Sequence, residues 1–154
     1  MQILIKGAQV IDPGNIMGPK DVLVEDTIIA KVAEPGQAGA SDARVIDGRN
    51  KILTPGLLDI HVHLREPGHE YKETIETGLK AAAIGGFTAV CCMPNTKPVN
   101  DNSQITRFII DRAREAGYSK VFPAGAITSG SEGTTLAEIY DMKNAGAVAV
   151  TDDG

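Results

Sequence analysis

Histidine and cysteine are scarce in this chain, acidic residues outnumber basic ones, and no long apolar run occurs. Its 154 residues include three histidines and two cysteines, with 15 Lys and Arg against 20 Asp and Glu. The net charge of −5 leaves no basic footprint for nucleic acid. No stretch approaches the ~18 apolar residues that a membrane helix needs, and the opening MQILIKGAQV lacks a signal-peptide pattern. These absences lead us to expect a cytoplasmic protein with neither a nucleic-acid nor a membrane partner. Cys91 and Cys92 are neighbours, so on a strand they face opposite ways, which suits neither a disulfide nor shared metal binding. They read as packing residues in a reducing compartment.

What is present changes character near residue 53. Residues 1–53 hold short β-branched runs: ILIKG (3–7), AQVID (8–12), DVLVEDTIIAKV (21–32) and RVIDGRNKIL (44–53). The Gly- and Pro-rich stretches PGNIMGPK and EPGQAGASDA separate them, and Glu25-Asp26 suggests a tight turn. A small antiparallel, sandwich-like and partial β domain is expected there.

Residues 54–154 alternate strand with helix. LLDIHVHL (57–64) reads as a strand, and residues 70–84 as a helix with Tyr71, Ile75, Leu79 and Ala82 on one face. GGFTAVCCMP is a second strand. Asn102 or Ser103 caps a helix carrying Ile105, Phe108, Ile109 and Ala113, which Gly117 ends. KVFPAGAI is a third strand. Thr134 or Thr135 opens a helix through Leu136, Ile139, Tyr140 and Lys143, stopped by Gly146, before AVAVTDDG begins a fourth strand. Repeated βα units call for a parallel sheet. The first strand is followed by HLREPG and not by a G-x-G-x-x-G turn, which argues against a dinucleotide fold. The expected class is α/β: the N-terminal half of a (β/α)8 TIM-type barrel preceded by the small β domain. A whole barrel takes ~250 residues, so the chain reads as truncated.

On the first barrel strand Asp59, His61 and His63 share one face, opposite Ile60, Val62 and Leu64. With the aliphatic face under the helices, the histidines point into the barrel at its carboxyl rim, ~6.6 Å apart along the strand. Two imidazoles so placed can share a divalent ion, although zinc normally takes at least three protein ligands. Asp59 can orient a ligand or solvate the barrel floor. Asp152 and Asp153 end the fourth strand on the same rim, and only one of the two can face inward. Arg65 lies two residues past His63 and can grip a carboxylate; Asn95 ends the second strand and can both donate to and accept from an amide. His69 reads as a loop residue, and Lys97, Glu73 and Asp101 as solvated.

DIHVHLREPG, then YKETIETGLKAAAIGGFTAVCCMPNTKP, then AVAVTDDG together resemble the class I dihydroorotases of the amidohydrolase superfamily. The likeness runs through essentially the whole chain and covers the N-terminal part of such an enzyme. It implies a zinc enzyme, with one or two ions, that interconverts N-carbamoyl-L-aspartate and L-dihydroorotate in pyrimidine synthesis through a metal-activated hydroxide. It implies His61, His63 and Asp153 as metal ligands, with Asp152 the lesser choice. Arg65 and Asn95 then hold the substrate carboxylate, with His63 at the same substrate site. The related allantoinases and hydantoinases commonly carry a carboxylated lysine at the fourth strand, where AVAVTDDG has none. A second alternative is a non-catalytic scaffold for aspartate transcarbamoylase, a relative that tends to lose metal ligands. Association with that enzyme and homo-oligomerisation are further expectations of the resemblance. The general base and the remaining ligands are expected beyond residue 154. The isolated chain should therefore be inactive: assayed with zinc, it should show no dihydroorotate hydrolysis above background.

Overall fold

The computed structural model describes residues 1–153. Its chain divides into two units, Met1–Pro55 and Gly56–Gly154. In the first, β1 (Gln2–Asp12), β2 (Ile16–Glu25) and β3 (Ile28–Ala33) form the expected antiparallel meander. The short β4 (Arg44–Asp47) and β5 (Ile52–Leu53) join it by pairing parallel to β1.

Two segments expected to separate strands instead lie inside them. ILIKG and AQVID are one strand, because Gly7 at φ 67° takes up a bulge in the β1–β2 ladder between Ile5 and Ala8. Met17, Gly18 and Pro19 belong to β2, although they had read as loop. Pro19 is tolerated because β3 pairs only with Asp21–Glu25, leaving β2 an edge at that point. Asp21 is buried and accepts the backbone N–H groups of Gly7 and Gly36 at 2.8 and 2.7 Å, which ties the bulge to the loop after β3.

The second unit alternates strand and helix: β6 (Leu57–Val62), α1 (Ile75–Ile84), β7 (Phe87–Cys92), α2 (Ser103–Ala116), β8 (Lys120–Gly125), α3 (Ile139–Ala145) and β9 (Ala149–Val150). The strands pair in parallel in the order β6-β7-β8-β9, as the βα pattern requires. Residues between sheet and helices make the main core: Leu64, Ile75, Leu79, Val90, Cys92, Ile109 and Ala113. Cys91 packs on the opposite face of β7 with Met93 and Ala124, so the two thiols separate as strand alternation demands. Burial pushes the Cys92 thiol up to about 12.

Helix boundaries depart from the periodicity. α1 starts at Ile75 and not near 70, and Tyr71 is 80% exposed outside it. Thr74 is the cause: its hydroxyl accepts the Thr77 N–H while the Thr77 hydroxyl accepts the Thr74 N–H, a reciprocal cap that sets the first turn. Asn102 caps α2 through the N–H groups of Gln104 and Ile105, and Gly117 closes it at φ 71°. α3 is shorter than expected. Leu136 pairs with Thr128 in an isolated bridge, which removes 134–138 from the helix. Asp101 is partly buried and not simply solvated; its carboxylate accepts the Gly130 N–H at 2.9 Å.

The aliphatic face of β6 is only half covered. Val62 and Leu64 meet the helices, whereas Leu58 and Ile60 stay exposed. Among the described residues α1 packs on β7 and α2 on β8, so no helix lies over the start of β6. Leu79, fully buried on α1, tests this core. Leu79→Ala should cost about 2–5 kcal/mol in urea unfolding; a loss under 1 kcal/mol would show that the helix-covered face does not hold the unit together.

Candidate metal centre

β6 ends at Val62, which leaves His61 inside the strand and His63 one residue past it. Their ring centroids are 5.4 Å apart, edge to face. Asp59 does not approach the rings as a ligand. Its carboxylate accepts the His61 backbone N–H at 3.0 Å and so braces the strand on which both imidazoles stand.

His63 is oriented by Asn95. The Nδ1 of His63 lies 2.9 Å from the Asn95 Oδ1. An amide oxygen has no proton to give, so Nδ1 carries the hydrogen and Nε2 presents a lone pair. That Nε2 faces the Asp153 Oδ2 at 3.8 Å, and the His61 Nε2 lies 3.5 Å from the same oxygen. The sheet therefore gathers ligand atoms from His61, His63 and Asp153 within 4.8 Å of one another.

The neighbouring aspartates have different work. Asp152 Oδ1 accepts the N–H groups of Ile127 and Thr128 at 2.8 and 3.0 Å, and the Thr128 hydroxyl donates to Oδ2 at 2.8 Å. The backbone N–H of Thr128 above all, with the Thr128 hydroxyl and the Ile127 N–H, holds the Asp152 carboxyl below the usual carboxylate range. Asp152 is thus spent on fastening the loop after β8 to the tip of β9, and Asp153 is left to face the imidazoles. Sequence alone could show that the two point apart, not which points where.

Arg65 reaches its place by a route that strand alternation did not anticipate. The Glu66 N–H bonds the Leu64 carbonyl at 2.8 Å, the i to i+2 pattern of a γ-turn, and Arg65 at its centre has φ 64°. The direction of its side chain is set by this turn and not by the pleat of β6. Arg65 is partly buried and, among the described residues, forms no ion pair. His69 is a loop residue whose N–H closes the same turn region on the Arg65 carbonyl at 3.0 Å. Lys97 and Glu73 keep off the metal centre; the Glu73 carboxylate takes the Thr77 hydroxyl.

The donor set fits a borderline divalent ion. Bonds of ~2.0–2.1 Å in a tetrahedral site put donor atoms about 3.4 Å apart, close to the two imidazole–carboxylate separations here. One nitrogen of His63 is already committed to Asn95, the arrangement by which ligating histidines are usually oriented. Sequence reasoning missed Glu66, Asn100 and Thr106. Asn100 is fully buried, donates to the Ala124 carbonyl at 2.9 Å and accepts the Thr106 hydroxyl at 2.8 Å, fixing the loop that carries Asn95 between β8 and α2. Polar residues flanking PNTKP look solvated in sequence, so nothing there announced them.

Residues 50–154 match a protein-family profile described as dihydro-orotase-like. A dihydroorotase of Desulforapulum autotrophicum is 61% identical over the whole chain, which spans 36% of that relative. For the dihydroorotase of Geobacter sulfurreducens the identity is 55%, over the same share of each. Among solved structures, the L-hydantoinase (dihydropyrimidinase) of Arthrobacter aurescens superposes with a TM-score of 0.81 at 23% identity, covering 96% of this chain and 32% of that one. The chain thus spans about a third of the length of the relatives it matches.

Asp152→Ala should loosen the loop after β8, seen as faster hydrogen exchange at the Ile127 and Thr128 amides. In the unaltered protein the depressed carboxyl pKa preserves that protection through neutral and mildly acid pH, with loss only as acid titrates the folded carboxylate. Protection unchanged in the alanine variant would mean that Asp152 does not hold the loop.

Proposed function

Because the chain belongs to the dihydro-orotase-like family, we propose that it forms the metal-bearing part of a zinc-dependent dihydroorotase. The reaction is the interconversion of N-carbamoyl-L-aspartate and L-dihydroorotate in pyrimidine synthesis, a cytoplasmic task consistent with two buried free thiols. One observation carries the reading: His61, His63 and Asp153 converge from β6 and β9 with a carboxylate, and not a lysine, at the fourth strand.

His61, His63 and Asp153 would hold a zinc ion, and the chemistry supplied there would be a water pKa lowered toward ~7 and a polarised amide carbonyl. The chain's own residues supply the rest of what this part can do. His63, held through Nδ1 by Asn95, keeps Nε2 free for the ion. Asn95 keeps its amide NH2 for the substrate. Arg65, with no ion-pair partner among the described residues, takes the substrate carboxylate as a bidentate pair. Gripping that carboxylate on the same rim as His61, His63 and Asp153 would orient the ring amide toward those side chains. None of these residues is assigned the proton transfer; by the family resemblance, that base is a carboxylate on the last barrel strand.

The 61% identity to a dihydroorotase favours this substrate over hydantoins, because the hydantoinase likeness at 23% identity speaks to the fold alone. A non-catalytic scaffold is disfavoured by the three filled ligand positions.

In the complete enzyme, His61→Ala and Asp153→Ala should each weaken zinc binding by at least about 100-fold in chelator competition, and abolish dihydroorotate hydrolysis. Tight stoichiometric zinc retained in both variants would remove the proposed centre. Hydrolysis of hydantoin in preference to L-dihydroorotate by the unaltered enzyme would replace the substrate.

A further inference from the structure

Glu66 is a buried carboxylate that nothing above employs. Its Oε2 accepts the backbone N–H of Ile75, the first residue of α1, at 2.8 Å, and its Oε1 accepts the Arg112 Nε of α2 at 3.1 Å. The side chain is 7% exposed, and Arg112 is in turn held by Glu115 at 2.7 Å. A carboxylate so enclosed and doubly satisfied is a fixed point, since leaving the buried Glu66 without its partners is costly.

What it fixes lies one residue away. Arg65 sits at positive φ in the centre of the γ-turn, a conformation that persists only where the surroundings impose it. The next two residues fasten the same loop to the one carrying Asn95. The Lys97 N–H donates to the Pro67 carbonyl at 2.8 Å, and Gly68, at φ 93°, lies so close to the Lys97 carbonyl that a Cβ there would fall on it. His63 and Asn95 make a third tie between the two loops. Arg65 and Asn95 thus stand on one clasped pair of loops, and Glu66 anchors that pair to both helices.

We propose that Glu66, through Arg112 and the start of α1, is the positioning residue for Arg65 and so determines how well the substrate carboxylate is held. This rests on the dihydroorotase reading of the same site. Glu66 touches neither substrate nor metal; it acts only by keeping the turn in place.

The test is a double-mutant cycle in the complete enzyme with L-dihydroorotate as substrate, using Glu66→Gln, Arg65→Met and the pair. Glu66→Gln keeps an acceptor for the Ile75 N–H but gives up the charge opposite Arg112. It should raise KM at least tenfold, with stoichiometric zinc retained. In the Arg65→Met background it should leave KM where that substitution has already put it. Arg112→Gln, which disturbs the anchor from the other side, should show the same non-additivity and serves if Glu66→Gln does not fold. A merely structural Glu66 would lower the melting temperature while leaving KM of the folded enzyme unchanged, or would raise KM equally in both backgrounds; either result overturns the proposal. An unaltered enzyme that does not turn over L-dihydroorotate overturns the function reading and this inference with it, whereas an active enzyme with KM indifferent to Glu66 overturns the inference alone.

Discussion

Strands that run parallel in one sheet must present all their carboxyl ends at the same edge, and the site depends on that constraint. β6, β7, β8 and β9 each finish at one rim, where His63, Asn95, Thr128 and the Asp152-Asp153 pair come within three residues of the strand ends. The pairing of Gly125 with Val150, continued by the Thr151 N–H on the Gly125 carbonyl at 2.9 Å, brings the end of β9 level with β8. Because β9 itself is only two residues long, this register is reinforced by the Asp152 contacts to Ile127 and Thr128. Asp153 then meets two imidazoles that precede it by three crossovers of chain. Remove the parallel pairing and no local feature would bring those three side chains together.

Buried polar anchors complete what the ladder begins. Asp21, Glu66 and Asn100 are each buried with their side-chain oxygens engaged in hydrogen bonds. Asp21 and Glu66 accept N–H groups of a bulge, a loop and a helix start, while Asn100 ties its own loop to β8 and α2, so each side chain makes an irregular segment a defined one. Such groups are expensive to bury unpaired and correspondingly specific when paired.

The parts of the fold legible in sequence were those written as periodicity. The βα alternation, the parallel order, the caps at Asn102, Gly117 and Gly146, and the opposed burial of Cys91 and Cys92 follow from local rules. Alternation likewise put His61 and His63 on one face. What failed locally had a non-local cause. The first helix was placed early because the Thr74 and Thr77 pair, which starts it, competes with an apolar Tyr71 that only looks periodic. Gly7 looked like a strand break because a bulge needs the same residue as a turn. Arg65 was referred to the pleat, whereas a γ-turn sets it. The division of labour between Asp152 and Asp153 depends on Thr128, a residue remote in sequence.

The paired thiols of β7 leave one further trace. Sliding a strand by a single residue exchanges its two faces, yet at Cys91 and Cys92 such a slip would refill one of the two places with the same side chain. Taken alone, the dipeptide distinguishes the two faces only weakly. Its neighbours mark the faces: Val90 packs on the helix-covered side and Met93 on the side shared with Ala124. Exchanging one thiol for another hydrophobe of like volume should therefore scarcely disturb the strand, whereas a change at Val90 or Met93 alters the marking of a face.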